Sequence, residues 1–265
     1  MTRILITGAA GVLGRVLTDG LAVRGFALRL SDRRTDYAPP QGLEYHAVEL
    51  ADRDAVAELC RDIDVVAHFG GVSTESTFEA VLDANLRGCF HVFEGARAAG
   101  VGRVVFASSN HAIGMYPRTR VIDASAPLRP DSYYGLSKAY GELLGQLYWD
   151  KHGLSSVALR IGSCLPAPVE VRHLSTWLSF PDLIELVARA ATAPGLGAEI
   201  VYGVSANRRS WWRDEAFAKL GFQAQDDAER FADLPAMALA EPDPIAARFQ
   251  GGSFASANCT RAPAA

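Results

Sequence analysis

The sequence lacks the features that mark membrane proteins and nucleic-acid-binding proteins. Its 265 residues contain no apolar run long enough to cross a bilayer, and Met1-Thr2-Arg3 leads into a strand-like segment without a cleavable signal. The 30 acidic and 26 basic side chains give a net charge of −4 and form no basic stripe. We therefore expect a cytoplasmic protein with no membrane or nucleic-acid partner.

Cysteine and histidine are few, and both are scattered along the chain. Cys60, Cys89, Cys164 and Cys259 form no C-x-x-C pair, so we expect free thiols. The six histidines are equally dispersed and offer a structural metal no cluster of ligands. We expect no bound metal.

What the sequence does contain is a regular alternation of short β-branched or apolar runs with amphipathic segments. This pattern predicts an α/β fold with a doubly wound parallel sheet. The predicted strands cover residues 3–7, 27–31, 43–49, 65–69, 104–108, 156–161 and 199–203. No repeat or linker divides the chain, so we expect a single domain over residues 1–265, with a small C-terminal substrate-side cap mainly in 164–265.

A glycine-rich loop follows the first predicted strand and opens a helix. Gly8, Gly11 and Gly14 permit a tight turn, close approach of the backbone to a pyrophosphate, and packing of the helix on the sheet. A turn without a ligand is the alternative, but the first strand-to-helix connection is where this fingerprint binds dinucleotides. The loop therefore predicts a Rossmann-type cofactor site.

The residues after the second strand bear on the choice of cofactor. Asp32 can accept hydrogen bonds from the ribose hydroxyls of NAD and would repel the 2′-phosphate of NADP. Arg33 and Arg34 follow directly and could instead bind that phosphate. The charge of Asp32 favours NAD, and the two arginines leave NADP open.

A tyrosine and a lysine lie one helical turn apart in Tyr134-Gly-Leu-Ser-Lys138. A nearby cation and an oxidised nicotinamide would both lower the pKa of the phenol, so Tyr134 could act as a base. Two surface residues without a role are the alternative. Ser109, at the carboxyl end of a predicted strand, could hold the reacting oxygen.

Together, the Gly-x-x-Gly-x-x-Gly loop, the strand ending in Ser108-Ser109 and Tyr-x-x-x-Lys resemble the extended short-chain dehydrogenase/reductase superfamily. Further stretches resemble the uronate dehydrogenase family: His68-Phe-Gly-Gly-Val-Ser73, Phe106-Ala-Ser-Ser-Asn-His111, Arg160-Ile-Gly-Ser-Cys164, Leu174-Ser-Thr-Trp177, Ser210-Trp-Trp212 and Arg248-Phe-Gln-Gly-Gly252. The resemblance implies NAD-dependent oxidation of the anomeric carbon of hexuronates such as D-glucuronate and D-galacturonate to the aldarolactone.

The resemblance also implies roles for individual residues. Tyr134, Lys138 and Ser109 would be catalytic, and Arg172 would bind the substrate carboxylate. The other substrate contacts would be Ser73, Ser109, Asn110, His111 and Ser163. Cofactor contacts would be Gly8, Gly11, Val12, Leu13, Gly14, Asp32, Arg33, Leu50, Gly70, Gly71, Asn85, Lys138 and Cys164. A homo-oligomer is possible.

Two other functions stay open at this point. A nucleotide-sugar epimerase or dehydratase of the same superfamily would need room for a nucleoside diphosphate, which the short C-terminal part disfavours. A non-catalytic NAD-binding sensor would keep the fold without the chemistry. The presence of Ser109, Tyr134 and Lys138 makes the sensor the weakest of the three hypotheses.

Overall fold

The computed structural model describes residues 1–213 and 216–260. Its strands are β1 (Arg3–Thr7), β2 (Ala27–Asp32), β3 (Glu44–Ala47), β4 (Val65–His68), β5 (Arg103–Ser109), β6 (Ser155–Ile161), β7 (Ser163–Cys164), β8 (Trp177–Leu178) and β9 (Ala198–Gly203). Seven of them form one parallel sheet in the order β3-β2-β1-β4-β5-β6-β9, and β7 pairs with β8. The predicted doubly wound sheet and its seven strands are confirmed. The two-residue strands β7 and β8 are too short for periodicity to predict.

Helices fill the connections between the strands. They are α1 (Val12–Val23), α2 (Arg53–Leu59), α3 (Phe78–Val81), α4 (Gly88–Ala98), α5 (Tyr133–His152), α6 (His173–Thr176), α7 (Phe180–Thr192), α8 (Ala216–Leu220), α9 (Pro244–Arg248) and α10 (Ser253–Ser256). A π-helical segment, Leu82–Arg87, joins α3 to α4. Within the described ranges, no helix is both long and apolar enough to cross a membrane.

Alternating side chains of the strands bury the two faces of the sheet in separate cores. On β1, Ile4 and Ile6 join the core that also contains Leu17 of α1, whereas Leu5 joins the opposite core with Val92 and Phe93 of α4. Both faces of a parallel sheet need such a covering layer, which explains why the strand sequences are almost continuously apolar.

The order of the strands reverses next to β1. Strands β2 and β3 lie on one side of β1, and β4 to β6 and β9 lie on the other. At such a reversal the following loops diverge and leave a crevice outside the carboxyl ends of the strands, where ligands bind in open α/β sheets. The fold therefore places its candidate site beside the loops after β1 and β4.

Helix α5 packs unusually close to the sheet because its inner face carries glycines. A Cβ atom on Gly141 would lie 2.3 Å from a ring carbon of Phe106, and one on Gly145 would lie 2.4 Å from the Ser156 hydroxyl oxygen. Ser132 caps the start of the helix by accepting a hydrogen bond from the Gly135 amide, and Gly153 ends it in the left-handed conformation.

A buried ion pair also fixes α5 to the sheet. Glu142 of α5 and Arg160 of β6 are joined by two hydrogen bonds of 2.8 and 2.9 Å, and each side chain is 1% exposed. The Ser108 hydroxyl of β5 donates a further bond of 2.6 Å to Glu142. The carboxylate therefore connects the helix to two strands at once.

We expect Glu142→Gln to lower the free energy of unfolding by about 3–5 kcal/mol, because it leaves the buried Arg160 charge uncompensated. Denaturant unfolding measures this. Glu58→Gln is the matched control, since Glu58 forms an exposed ion pair with Arg61 and its loss should cost no more than about 1 kcal/mol. Equal losses in both variants would contradict a special role for the buried pair.

Candidate active site

The glycine loop has the geometry that its sequence predicts. Gly8 has φ +74°, and a Cβ atom there would lie 2.6 Å from the Phe69 carbonyl oxygen. A Cβ atom on Gly14 would lie 2.1 Å from the Gly8 carbonyl oxygen. Gly11 is the N-cap of α1 and provides no side chain to its first amides. The backbone thus forms a cradle that suits a phosphate group at a helix N-terminus.

This cradle opens into a cleft of about 800 Å³ along the carboxyl ends of the strands. The cleft runs from the adenosine-side carboxylate of Asp32 to Tyr134, so its residues and extent fit a dinucleotide. All the predicted cofactor contacts except Asn85 line it: Gly8, Gly11, Val12, Leu13, Gly14, Asp32, Arg33, Leu50, Gly70, Gly71, Lys138 and Cys164.

Further residues of the cleft were not predicted. They include Thr7, Ser31, Val48, Phe69, Val72, Asp83, Ala107 and Gly162. Most of them lie at or just beyond the carboxyl end of a strand, so the position of each strand end was the information that could have found them.

Asn85 does not line the cleft. Its amide oxygen accepts a 2.8 Å bond from the Val72 amide, and its amide nitrogen donates to the Val72 carbonyl and to the Ser137 hydroxyl. Asn85 lies in the π-helical segment, a distortion that often occurs at functional sites. It joins the loop after β4 to α5 and so positions both, and its contact with the cofactor stays a prediction.

The two arginines after Asp32 have different surroundings. Arg34 forms an exposed two-bond pair with Asp36, at 2.9 and 3.0 Å. Arg33 lines the cleft and has no ion-pair partner within the described residues. The Asp32 carboxylate accepts bonds from the Ala10 and Arg34 amides, which hold it at the edge of the cleft. Arg33 is therefore the arginine available to a ligand.

Tyr134, Lys138 and Ser109 meet at the inner end of the cleft. The Lys138 ammonium nitrogen donates a 2.8 Å bond to the Ala107 carbonyl and lies 5.3 Å from the centre of the Tyr134 ring. A hydrogen bond also joins the side chains of Ser109 and Tyr134. The sequence pattern predicted this constellation, and the structure brings its three members together.

Burial has the largest effect on the pKa values of Tyr134 and Lys138. Burial raises the pKa of Tyr134 to about 12, although the hydrogen bond with Ser109 opposes the shift. Burial lowers the pKa of Lys138 to about 8. With the protein's own groups alone, desolvation of the phenolate is the largest influence on this pKa, and its lowering by a cation together with an oxidised nicotinamide stays a prediction for the cofactor-bound protein.

The predicted substrate contacts divide between the cleft and a polar cluster beside it. Ser73 and Ser109 line the cleft. In the cluster, the Arg172 guanidinium donates to the Ser163 hydroxyl at 3.1 Å and to the Gln250 carbonyl at 2.8 Å. The Asn110 amide, oriented to satisfy its neighbours, accepts from Arg172 at 2.9 Å and donates to the Ile161 carbonyl.

Arg172 is a buried cation. Burial lowers the pKa of its guanidinium to about 10, so the group keeps its charge at neutral pH. The backbone of Gly252 passes beside it, since a Cβ atom there would lie 3.0 Å from Arg172 Nε. A buried guanidinium with neutral partners attracts an anion more strongly than an exposed one.

His111 lies next to Tyr134 rather than in the cleft lining. Its Nδ1 is 2.8 Å from an oxygen of Asp131, its ring stacks on Phe254 with centres 3.9 Å apart, and the Tyr134 ring is 5.7 Å away. Burial lowers the pKa of His111, and Asp131 opposes this. Asp131 and Phe254 were not predicted, and no local motif marks either residue.

Side chains of the types that bind metals do not cluster in the described part of the chain. Across the described part of the chain, no group of three or more His, Cys, Asp or Glu side chains is placed to hold a metal ion. Cys60, Cys89 and Cys164 are free thiols. Burial raises the pKa of the Cys164 thiol in the cleft to about 12, so this thiol is protonated at neutral pH.

Comparisons with known proteins agree with this geometry. Residues 4–211 match the NAD dependent epimerase/dehydratase family. Uronate dehydrogenase from Pseudomonas putida KT2440 is 48% identical, over 96% of this chain and 96% of its own length. Uronate dehydrogenase from Agrobacterium fabrum C58 is 44% identical, over 96% of this chain and 97% of its own length.

Solved structures of similar dehydrogenases have the same fold as this chain. Uronate dehydrogenase from Agrobacterium tumefaciens, in a Tyr-to-Ala mutant complexed with NAD, superimposes with a TM-score of 0.92 at 42% identity, covering 97% of each chain. Glucuronic acid dehydrogenase from Chromohalobacter salexigens gives 0.91 at 44% identity, covering 96% of this chain and 97% of its own.

We expect kcat/KM to be higher with NAD than with NADP, because Asp32 repels a 2′-phosphate. Arg33→Ala should lower kcat/KM for NADP about tenfold or more, since a charge-assisted hydrogen bond contributes about 1.5–3 kcal/mol, and should hardly alter kcat/KM for NAD. Arg34→Ala is the control and should change neither value. A higher kcat/KM for NADP than for NAD in the unmodified protein would contradict the role of Asp32.

Proposed function

The chain belongs to the NAD dependent epimerase/dehydratase family and, within it, to the uronate dehydrogenases, and on this premise we propose that it oxidises hexuronates with NAD. The substrates are D-glucuronate and D-galacturonate, and the anomeric carbon is oxidised to the aldarolactone. The observation that carries the proposal is the buried cation of Arg172, which contacts Asn110, the neighbour of Ser109, beside the Tyr134 and Lys138 pair.

The cleft residues provide the cofactor site. The glycine cradle would hold the pyrophosphate, Asp32 the adenosine ribose and Lys138 the nicotinamide ribose. NAD, when bound, supplies the acceptor for the hydride that leaves the anomeric carbon. The protein's own residues bind and orient the substrate and move the proton.

Tyr134 takes the proton of the anomeric hydroxyl, and Ser109 holds the same oxygen. The raised pKa of Tyr134 leaves the phenol protonated at neutral pH when only the protein's groups act on it. Positive charge close to the ring favours the phenolate, and Lys138 supplies such a charge 5.3 Å from the ring centre. Proton removal therefore becomes easier as pH rises from neutral to about 8, so the rate should increase over that range, and above it Lys138 loses the charge that favours the phenolate.

Arg172 provides the selectivity for a carboxylate. The guanidinium has five N–H donors, and the neutral partners Ser163, Asn110 and the Gln250 carbonyl hold it in place without neutralising its charge. A carboxylate can therefore form a charge-assisted pair with it. The neutral parent sugars lack the group that would make this pair.

The direct test follows NADH absorbance with purified protein, NAD and either glucuronate, galacturonate, glucose or galactose. NADH should form rapidly with the two uronates only. Tyr134→Phe should lower kcat about 10²- to 10⁴-fold, the usual contribution of a general base, with NAD affinity retained in a fluorescence titration. No NADH with any sugar would instead favour an epimerase that recycles its cofactor, or a sensor.

For Arg172→Ala, we expect KM for uronate to rise about 10- to 100-fold, in line with the loss of a charge-assisted bond. Steady-state kinetics measures this, and thermal unfolding shows whether the variant is folded. Arg209→Ala is the control, since Arg209 forms an exposed pair with Glu229. An unchanged uronate KM in Arg172→Ala would remove Arg172 from carboxylate binding.

We also propose that the chain forms a homo-oligomer through α5. Leu136, Leu143 and Leu147 are 45–61% exposed, and their spacing places them on one face of the helix. A second copy would cover this apolar face, and light scattering of purified protein, with Leu143→Glu as a disruptive variant, tests it. The free thiols of Cys60, Cys89 and Cys164 support a reducing compartment such as the cytoplasm.

A further inference from the structure

We propose that Asp131 is a positioning residue that holds His111 in the Nδ1–H tautomer, so that Nε2 accepts a hydrogen bond from a hydroxyl of the sugar ring. The inference rests on the proposed function, because it assigns the part of the site that orients the hexuronate. The proposed site then has two different ends. Arg172 is a cation at one end, and His111 is a neutral hydrogen-bond acceptor at the other.

The Asp131 carboxylate has two partners, one on each oxygen. One oxygen lies 2.8 Å from His111 Nδ1, and the other accepts a 2.7 Å bond from the Ser132 hydroxyl. Ser132 in turn caps α5 at the Gly135 amide, one residue after Tyr134. The carboxylate therefore joins the orientation of His111 to the start of the helix that carries the tyrosine.

The backbone of two glycines passes close to this carboxylate. A Cβ atom on Gly114 would lie 1.7 Å from the same Asp131 oxygen that contacts His111, and one on Gly251 would lie 1.9 Å from it. The Gly251 amide donates to the Gly114 carbonyl at 2.9 Å, so these two segments close around the carboxylate. Its side chain is 0% exposed.

The chemistry of the pair determines the tautomer. A carboxylate can only accept, so His111 Nδ1 carries the hydrogen and Nε2 keeps its lone pair. Burial keeps the imidazole neutral by lowering its pKa; Arg172 acts in the same direction, and Asp131 and Glu75 oppose it. His111 is thus an acceptor at neutral pH.

The His111 side chain is 12% exposed and lies next to Tyr134, which lines the cleft. No buried side-chain nitrogen or oxygen among the described residues lacks a partner, and Nε2 has no partner within them, so Nε2 is accessible. Phe254 stacks on the ring, the Tyr134 ring lies edge-on to it, and the contact with Asp131 fixes which nitrogen faces the carboxylate. A hydroxyl can donate to this nitrogen, whereas a carboxylate placed there would face its lone pair. The same contact therefore disfavours binding of the sugar in the opposite orientation, with its carboxylate toward His111.

Long-range ¹H–¹⁵N NMR of the unmodified protein reads the tautomer directly, with His111→Gln used to assign the signal. We expect the shifts of a neutral imidazole with hydrogen on Nδ1. Hydrogen on Nε2 would overturn the proposal. This measurement needs no uronate, so it stands whether or not the protein oxidises uronates.

The kinetic test is Asp131→Asn, whose amide can donate to Nδ1 and so favours the Nε2–H tautomer. We expect the NMR signature to change, KM for uronate to rise about 10- to 100-fold, and NAD affinity by calorimetry to stay within twofold. Asp150→Asn, on the exposed far end of α5, is the control. An unchanged uronate KM in a variant with the altered tautomer would overturn the proposal. Lack of uronate turnover by the unmodified protein would instead refute the proposed function.

Discussion

Helix α5 must lie against the sheet at one fixed distance, because both members of the Tyr134 and Lys138 pair depend on its position. Gly141 and Gly145 remove the side chains that would hold the helix away, and the Glu142 to Arg160 pair fixes it in register with β5 and β6. Buried charges are costly to desolvate, but this pair is fully hydrogen-bonded. The ion pair thus sets the place of the tyrosine relative to the cleft.

The C-terminal segment completes the other end of the site. Gln250 is fully buried: its side chain accepts from the Trp212 indole and donates to the carbonyls of Pro117 and Arg120, and its own carbonyl accepts from Arg172. One residue therefore holds three distant parts of the chain together. The guanidinium of Arg172, which we propose binds the substrate carboxylate, is positioned by backbone that lies outside the seven-stranded sheet.

Burial determines the electrostatics of the site more than any single charge pair does. It disfavours the charged forms of Tyr134, Lys138, His111 and Arg172, raising the first pKa and lowering the other three. At neutral pH, Arg172 stays cationic while His111 and Tyr134 are neutral. The proposed site for a hexuronate therefore has two cations, Arg172 at one end and Lys138 beside Tyr134, together with the neutral His111.

Local sequence determined the fold and the cofactor loop. Strand periodicity, the spacing of Gly8, Gly11 and Gly14, and the one-turn spacing of Tyr134 and Lys138 act over a few residues, and the structure agrees with each. Tertiary structure decided the pairing of Asp131 with His111 and of Gln250 with Arg172, across separations of 20 and 78 residues. It also decided that the pKa of Tyr134 rises, because desolvation depends on the surrounding packing, which no local pattern contains.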